Sequence, residues 1–250
     1  MNADTVLFEG MTSIRAVIEG GQNGVHDRRI LRVFIDHTKK ESRAKEIGYL
    51  KAVGVEMGFP VTECDASEID ALVSGTTHGG IVAECTDRAI PSLTADSLPK
   101  GGFAVMLEGI EDPFNFGYAL RTLYAAGTDA VILSPRNWMH AAGTVCRSSA
   151  GASELLPLYI ADGMDAARIA KDIGYKVVCA GIRDSVSAFD ADLKKPVFLI
   201  VGGEKRGISR ALLNEADTVV RLDYGRQFRG SLSTASAASV LAYEILRQNR

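Results

Sequence analysis

The sequence predicts an α/β protein of two domains, the second of them built around a parallel β-sheet. Apolar, strand-like runs alternate with stretches of helical periodicity along most of the 250 residues. In the second half these runs are continuously apolar, which is typical of strands buried on both faces of a parallel sheet. Residues 86–102 contain two prolines and two glycines but few large apolar side chains, as a linker does. We therefore expect domains at residues 1–98 and 99–250.

The first domain is predicted to be a small α/β unit. Ile47, Leu50 and Val53 recur at helical spacing and fall on one side of a helix. Ser67 stands where it can cap the helix that follows it. A glycine pair then breaks the chain before the last strand. Helices are expected at residues 12–19, 43–57 and 67–72, and strands at residues 31–35, 61–63 and 81–85.

The second domain is predicted to alternate strands and helices more regularly. Its strands are apolar throughout, so helices are expected to cover both faces of the sheet. Strands are expected at residues 104–107, 130–133, 176–180, 197–201 and 218–222, and helices at residues 115–126, 139–146, 164–173, 209–214 and 232–248.

The composition excludes several classes of protein. No apolar run approaches the roughly 20 residues of a membrane-spanning helix. The first ten residues include acids and lack the basic start of a secretion signal. The four cysteines form no CxxC pair, and the four histidines are dispersed, so neither a zinc nor a redox motif is indicated. We expect a cytoplasmic protein with reduced thiols, no membrane segment and no metal.

The distribution of charge is more informative than the net charge of −3. Residues 1–98 carry ten basic and fifteen acidic side chains, whereas residues 99–250 carry eighteen and sixteen. Within the first part, residues 28–51 hold eight basic side chains against three acidic ones. Such a basic stripe is either a solvated helix face, which charge alone favours, or a surface that guides a nucleic acid.

Three segments that follow predicted strands carry the candidate functional residues, and ligands of open parallel sheets bind at that edge. In the first segment, a turn rich in Asp, Pro and Asn leads into a helix with Asn115, Gly117 and Arg121. A helix N-terminus suits a phosphate, and Arg121 can add a forked set of donors. An Asx turn with a helix cap, together with a salt bridge of Arg121, would give the same sequence pattern without any ligand.

The second segment follows the strand at residues 197–201. Gly202 and Gly203 let a ligand approach the backbone closely, and Glu204 would point into the crevice before Gly207. The segment is neither a phosphate loop nor a dinucleotide fingerprint. A plain strand-to-helix turn, with Glu204 stabilised by the helix dipole, is an equal alternative.

The third segment follows the strand at residues 218–222 and leads into the last helix. Ser231 or Ser233 can cap that helix. The small side chains of residues 235–239 allow another backbone to approach closely. Tight helix packing without any ligand would show the same pattern.

Taken together, the three segments resemble the signature of the SpoU, or TrmH-like, family of RNA 2′-O-ribose methyltransferases in the SPOUT superfamily. The resemblance covers roughly residues 103–249. The first segment is similar to the family's Asn-x-Gly-x-x-x-Arg block and the second to its Gly-x-Glu-x-x-Gly block. Residues 146–157 resemble the Ser-Ala-Gly-Ala stretch between the two blocks. The first domain resembles the ribosomal-protein-like substrate-binding domain, through the helix start at Gly10 and through residues 77–83.

The third segment occupies the place of the family's final block, an apolar-Pro-Met run, a glycine and then Ser-Leu-Asn-Val-Ser. Ser231 and Leu232 are kept. Arg221 stands where proline is usual, Ser233 replaces asparagine and Ala235 replaces the second serine. A serine hydroxyl rotates, whereas an amide offers two fixed groups, so the departures affect the positioning of substrate.

The resemblance implies a deep trefoil knot in the second domain, an exception to the usual unknotted topology. It implies S-adenosylmethionine as cofactor, ribosomal or transfer RNA as partner, no metal, and an active site at a homodimer interface. The cofactor would be held, largely by backbone groups, by Gly202, Gly203, Gly207, Leu222 and Leu232.

The implied reaction is methyl transfer to a ribose 2′-hydroxyl. Arg121 would grip the phosphate beside the target ribose and ease the developing alkoxide. Asn115 would orient Arg121, and Glu204 would hold one of these two. Ser231 would lie near the methyl donor, and Ser233 would take the asparagine's place in positioning the substrate.

Two alternatives remain open. The substitutions at Ser233 and Arg221 are also compatible with an RNA-binding protein that keeps the SPOUT fold and has lost catalysis. A nucleotide-binding oxidoreductase is less well supported, because no glycine fingerprint follows the first strand of the second domain.

Overall fold

The computed structural model describes residues 5–73, 78–110 and 112–250 of the chain. The chain divides into two compact units, which we describe separately. Unit 1 consists of Met1–Ala89 together with Ala141–Leu155, and unit 2 consists of Ile90–His140 together with Leu156–Arg250. The boundary between the two units that lies nearest the predicted linker falls between residues 89 and 90. The domain boundary between residues 98 and 99 stays a prediction.

The helices and strands follow in chain order. In the described residues they are β1 (Thr5–Glu9), α1 (Gly10–Gln22), β2 (Ile30–Asp36), α2 (Ala44–Met57), β3 (Val61–Cys64), α3 (Ala66–Leu72), β4 (Ile81–Thr86), β5 (Phe103–Glu108), α4 (Pro113–Ala125), β6 (Ala130–Leu133), α5 (Ala142–Ser148), α6 (Ala152–Leu155), β7 (Leu158–Ile160), α7 (Gly163–Asp172), β8 (Lys176–Ala180), β9 (Val186–Ser187), β10 (Val197–Gly202), α8 (Arg210–Glu215), β11 (Thr218–Arg221) and α9 (Thr234–Gln248).

Unit 1 is built on a mixed sheet of four strands in the order β1-β4-β2-β3. β4 pairs antiparallel with both β1 and β2, and β2 pairs parallel with β3. Strand β1 was missing from the sequence prediction, which began the domain with a helix. Five residues are too few for a clear period of two, and β1 is fixed by its pairing with β4 over its whole length.

The start of α3 corrects a detail of the sequence prediction. Asp65, and not Ser67, caps this helix. The Asp65 carboxylate accepts from the third helical residue, and the Glu68 carboxylate accepts from the Asp65 N–H at 2.9 Å. This reciprocal pair satisfies two N–H groups that a helix start leaves open.

Unit 1 buries a cluster of charged side chains. The carboxylate of Glu154 is fully buried, 3.1 Å from Nε of Arg28 and 4.0 Å from Nη1 of Arg88. The two guanidinium groups also donate to the carbonyl oxygens of Thr86 at 2.7 Å and Ser153 at 2.9 Å. Arg28 is 4% exposed, so it cannot belong to a surface that guides RNA, as the basic stripe had suggested.

Most other cations of the basic stripe have carboxylate partners as well. All of residues 28–51 are described, and five of their eight cations are paired. Those pairs are Arg28 with Glu154, Arg32 with Glu84, Arg43 with Glu46, and Lys40 and Lys51 with Glu63.

Unit 2 is built on a parallel sheet, which confirms the predicted fold class. In the described residues seven strands run in the order β7-β6-β5-β10-β8-β11-β9. β5 and β10 are neighbours, and each is buried apart from its last residue. α7 and α8 pack through Ala166, Ala170 and Leu212 on the face that carries Met106 and Ile200. α9 packs against β10 and α4.

The predicted strands of unit 2 agree with the structure to within one residue at either end, and its long helices to within two. β7, β9 and α6, which have three, two and four residues, were not predicted. The predicted helix at residues 139–146 is a 3₁₀ turn, Met139–Ala141, followed by α5. In the described part of the chain no helix combines the length and apolar character needed to cross a membrane. The trefoil knot stays a prediction.

Candidate functional site

The floor of the candidate site in unit 2 is the carboxyl end of β5 and β10. Gly202 lies opposite Glu108 in the parallel ladder, and the next residues, Gly203 and Gly109, are in backbone contact. A Cβ atom on Gly203 would lie 2.0 Å from the carbonyl oxygen of Gly109, a distance that no side chain can occupy. The glycine that the sequence suggested for close ligand approach is therefore required first by the approach of these two loops.

A tight turn rises from this floor. The N–H of Gly207 donates to the carbonyl of Gly203 at 2.9 Å, and Gly207 adopts φ +58°, where residues with side chains are strained. Glu204 lies on the exposed tip of the turn. Ser209 then caps α8 by accepting from the N–H of Leu212.

The start of α9 is bound to the same turn. The Thr234 hydroxyl donates to the carbonyl of Gly202 at 2.9 Å, and the Thr234 N–H lies 3.4 Å from a carboxylate oxygen of Glu204. The loop of residues 222–233 therefore returns the chain from β11 to the end of β10. The sequence analysis missed Thr234, because its partners are 30 and 32 residues away and no local pattern marks it.

The start of α4 holds Asn115 through Asp112. The Asp112 carboxylate accepts from the N–H groups of Phe114 and Asn115, both at 2.9 Å, and from the Asn115 side-chain amide at 2.6 Å. Pro113 occupies the first helical turn, where it has no N–H to leave unpaired. The structure thus gives Asp112, and not Glu204, as the partner of Asn115.

Arg121 lies on the exposed side of α4. Its guanidinium makes no hydrogen bond or ion pair with any residue that the structure describes, so it contacts neither Asn115 nor Glu204. The salt bridge that was the alternative explanation for this arginine is therefore not seen within the described chain. An exposed forked donor of this kind is available to an anionic ligand.

The two serines of the third segment differ in their surroundings. Ser233 caps α9, because its hydroxyl accepts from the Ser236 N–H at 3.2 Å. Ser231 is exposed and has no hydrogen bond within the described chain. Leu222 and Leu232 are half-buried, and the Leu232 N–H donates to the Tyr224 hydroxyl at 3.3 Å.

Glu108 is a further polar group of the floor, which the sequence analysis did not select. One of its carboxylate oxygens is buried and has no hydrogen-bond partner in the described residues. Burial raises the pKa of Glu108, and the nearby Asp162 carboxylate raises it further. A buried oxygen without a partner is costly, so this group fits a ligand that brings a hydrogen-bond donor or a positive charge.

The cysteines are unsuited to nucleophilic catalysis. Burial raises the pKa of Cys85 and of Cys179 to about 12 and also raises the pKa of Cys64 and Cys146. A thiol with a raised pKa carries little of the reactive thiolate at neutral pH. Covalent catalysis through cysteine is therefore disfavoured. In the described residues no group of three or more His, Cys, Asp or Glu could hold a metal ion.

Unit 2 is thus a parallel α/β fold with glycine-rich loops beyond the carboxyl ends of its strands, the edge at which ligands of such sheets bind. The sequence pattern of the SpoU rRNA Methylase family matches residues 102–243, and the chain belongs to this family. The pattern of the RNA 2′-O ribose methyltransferase substrate binding domain matches residues 13–91. The family that the sequence motifs suggested is thus confirmed.

Individual relatives agree with this assignment. The chain is 27% identical over 249 residues to the 23S rRNA (guanosine-2′-O-)-methyltransferase RlmB of Pseudomonas putida, with 96% of each chain covered. The crystal structure of an RNA 2′-O ribose methyltransferase matches with a TM-score of 0.80 and 22% identity, covering 98% of this chain and 89% of the other. The SpoU methyltransferase AviRb from Streptomyces viridochromogenes, in complex with AdoMet, matches with a TM-score of 0.78, 22% identity, and coverage of 99% and 92%. These two structures confirm the fold.

Proposed function

We propose that this protein transfers a methyl group from S-adenosylmethionine to a ribose 2′-hydroxyl of ribosomal or transfer RNA, and that it acts in the cytoplasm. The observation that carries the proposal is the meeting of three loops at one edge of unit 2. Gly203 closes the floor against Gly109, and the hydroxyl of Thr234 binds the start of α9 to Gly202. The similarity to RlmB from Pseudomonas putida, a 23S rRNA (guanosine-2′-O-)-methyltransferase, supports the same reaction.

The residues of this edge fit S-adenosylmethionine. The buried, unpartnered oxygen of Glu108 suits a ligand with an ammonium group, a sulfonium centre and ribose hydroxyl donors. We propose that the cofactor is held largely by backbone groups of Gly202, Gly203, Gly207, Leu222 and Leu232. When bound, the cofactor supplies a methyl group on a sulfonium sulfur that leaves readily as a neutral thioether.

Residues of α4 would then align and activate the ribose hydroxyl. We propose that the guanidinium of Arg121 binds the phosphate beside the target ribose and stabilises the negative charge that develops on the 2′-oxygen. Arginine is effectively never deprotonated, so an electrostatic role is favoured over that of a general base. Asp112 fixes the amide of Asn115, which leaves its carbonyl oxygen to orient Arg121 or the substrate.

The remaining polar residues have supporting roles in this proposal. The free hydroxyl of Ser231 would lie near the methyl donor. Ser233 would support the substrate indirectly, since its own hydroxyl is engaged in the cap of α9. Glu204 would hold the start of α9 through the Thr234 N–H.

A homodimer is part of the proposal, and the outer faces of α4 and α9 support it. Phe114 and Tyr118 are exposed one turn apart on α4, and Val240 and Tyr243 are exposed one turn apart on α9. α4 and α9 pack against each other, so the four apolar side chains belong to one helix pair. An exposed apolar surface of this kind is typical of a subunit interface. Sedimentation of the wild-type protein and of a Tyr118→Asp variant measures the dimer directly.

The reaction itself is tested with tritium-labelled S-adenosylmethionine and ribosomal RNA from cells that lack the gene. The RNA is then hydrolysed with alkali, which needs a free 2′-hydroxyl at each cleaved position. Label in alkali-resistant dinucleotides is expected. Label in mononucleotides would assign the methyl group to a base and would overturn the proposal. Binding of RNA without binding of donor would favour the alternative of an RNA-binding protein that has lost catalysis.

A further inference from the structure

The loop of residues 222–233 carries a cluster of aromatic and basic side chains that the proposed chemistry does not use. Tyr224 and Phe228 form an edge-on ring pair with centroids 5.7 Å apart and an interplanar angle of 63°. Phe228 is 59% exposed and Tyr224 39% exposed. Arg226 and Arg229 alternate with these rings in sequence. We call Tyr224, Arg226, Phe228 and Arg229 the aromatic–arginine loop.

The rings are held in position although they are exposed. The Tyr224 hydroxyl accepts from the N–H of Leu232, immediately before the start of α9. Gly230 lies so close to the Phe228 ring that a Cβ atom there would be 2.6 Å from Cζ of Phe228. Contacts within the same loop therefore hold the ring pair in place, while more than half of Phe228 stays exposed to solvent.

The positive charge of this loop is uncompensated. Neither Arg226 nor Arg229 makes an ion pair or hydrogen bond with the residues that the structure describes. The nearby carboxylate of Asp223 is bound to Arg221, 2.9 Å from its Nε, and does not compensate them. The loop thus combines an exposed π-face with two available guanidinium groups, next to residues that are proposed to hold the methyl donor.

We propose that the aromatic–arginine loop binds single-stranded RNA beside the methyl-transfer site, with a base stacked on Phe228 and phosphates bound by Arg226 and Arg229. Unstacked RNA bases bind to aromatic side chains, and the sequence-tolerant part of such binding comes from stacking and from phosphate contacts. Tyr224 is a positioning residue, because it holds the Phe228 ring and the turn before α9. The inference rests on the proposed function and adds the conformation of the RNA that the site accepts.

The experiment compares Phe228→Leu and Phe228→Tyr with the wild-type protein. Leucine keeps apolar packing against Gly230 but removes the aromatic face, and tyrosine restores it. The probes are a fluorescein-labelled ten-residue oligouridylate and a labelled RNA duplex of the same length, with affinity read from anisotropy. Phe228→Leu is expected to weaken binding of the single strand about tenfold, to leave duplex binding unchanged, and to be rescued by Phe228→Tyr.

The arginines give an independent readout through salt. For single-stranded nucleic acid the slope of log affinity against log salt is about 0.7 for each neutralised phosphate. Arg226→Ala and Arg229→Ala are each expected to reduce the slope by about 0.7. Phe189→Leu, at a phenylalanine that is 53% exposed elsewhere in unit 2, is the matched control for the ring, and Arg168→Ala on α7 is a control for loss of an exposed arginine; neither should change either value.

Three results would overturn the inference. Equal loss with Phe189→Leu would show a general effect of removing an exposed aromatic ring. Loss of S-adenosylmethionine binding by calorimetry in Phe228→Leu would show that the ring supports the donor loop instead. A change in sedimentation without a change in RNA affinity would assign the ring pair to a contact between copies of this chain. Because anisotropy needs no methyl transfer, absence of methylation by the wild-type protein would reject the proposed function but not this one.

Discussion

Basic side chains have different surroundings in the two units. In unit 1 the stripe of residues 28–51 reads as a cationic surface, yet five of its eight cations are bound to carboxylates. In unit 2 Arg121, Arg226 and Arg229 are exposed and have no partner in the described chain. The density of basic residues in a sequence therefore does not identify a binding surface. What identifies it is which cations the fold leaves without a carboxylate and whether they lie beside a candidate site.

The comparison is tested most strongly at Glu154, a carboxylate that two buried arginines bind. Glu154→Gln removes its charge, which leaves buried Arg28 with only the exposed carboxylate of Asp87, 3.6 Å from its Nη1, and leaves buried Arg88 without an ion-pair partner in the described residues. Breaking a buried pair in this way costs about 3–5 kcal/mol. Hydrogen exchange of the β2 and β4 amides should show that loss in the opening free energy of unit 1.

Glu63→Gln is the matched control for that change. Glu63 also accepts from two cations, Lys40 and Lys51, but this cluster is exposed to solvent. Its loss should leave the exchange of the same amides unchanged. If the two variants behaved alike, the distinction between buried and surface pairing would be wrong.

The next largest effect is expected at Arg121, the exposed cation of α4. Since it has no partner in the described chain, Arg121→Ala should leave stability and donor binding unchanged. Turnover should fall by about 10²–10³-fold, the usual loss when one donor to a developing oxyanion is removed. Arg168→Ala on α7 is the control. A loss of folding in Arg121→Ala would show that this arginine is structural.

His26 gives a smaller effect that depends on pH. Burial lowers the pKa of His26 from its model-compound value of 6.5; Arg88 and Arg28 lower it further, while Glu154 and Asp27 oppose the shift. The unfolded chain therefore binds more protons than the folded one below pH 6.5. Stability that is present above pH 6.5 should be lost as the pH falls below that value, by at most about 1.4 kcal/mol per pH unit.

That pH dependence is measured as the unfolding free energy of unit 1 between pH 7.5 and 5.5. His26→Asn keeps an acceptor for the Arg28 N–H, which now donates to Nδ1 at 3.2 Å, and should flatten the slope. His140→Asn, at an exposed histidine of unit 2, should not. Equal slopes in wild type and His26→Asn would contradict a buried neutral imidazole.

The smallest effect is expected at Lys40 and Lys51. Both are bound to Glu63, so they offer little charge to a ligand. The double substitution to Gln should change the affinity for a ten-residue oligouridylate less than Arg226→Ala alone does. A larger loss in the double variant would restore the basic stripe of unit 1 as an RNA surface.

The sequence predicted the parts of the fold that depend on neighbouring residues. β5 and β10 are continuous apolar runs, and their burial on both faces follows from that pattern alone. β9 could not be predicted, because its two residues are fixed only by their pairing with β11. The cap of α3 was assigned to Ser67 when Asp65, two residues earlier, performs it, since several polar residues near a helix start fit the same pattern.

The residues of the candidate site also fall into two groups, those that a short motif predicts and those that depend on distant partners. Asn115, Arg121, Glu204 and the glycines could be selected because they lie in short motifs directly after strands. Thr234 and Glu108 could not, because their importance depends on partners, or the lack of them, that only the folded chain brings near. The burial of Arg28 could not be predicted for the same reason, because its partner Glu154 is 126 residues away in the sequence.

The contact between Gly203 and Gly109 limits which positions of this protein tolerate substitution. Gly203 has no room for even one methyl group, so this position in the floor of the candidate site does not tolerate substitution. In the neighbouring loop of residues 222–233, by contrast, Gly225 has open space where a side chain would lie. We therefore expect selection or engineering for a new RNA target to act on that loop and not on the proposed donor-binding floor.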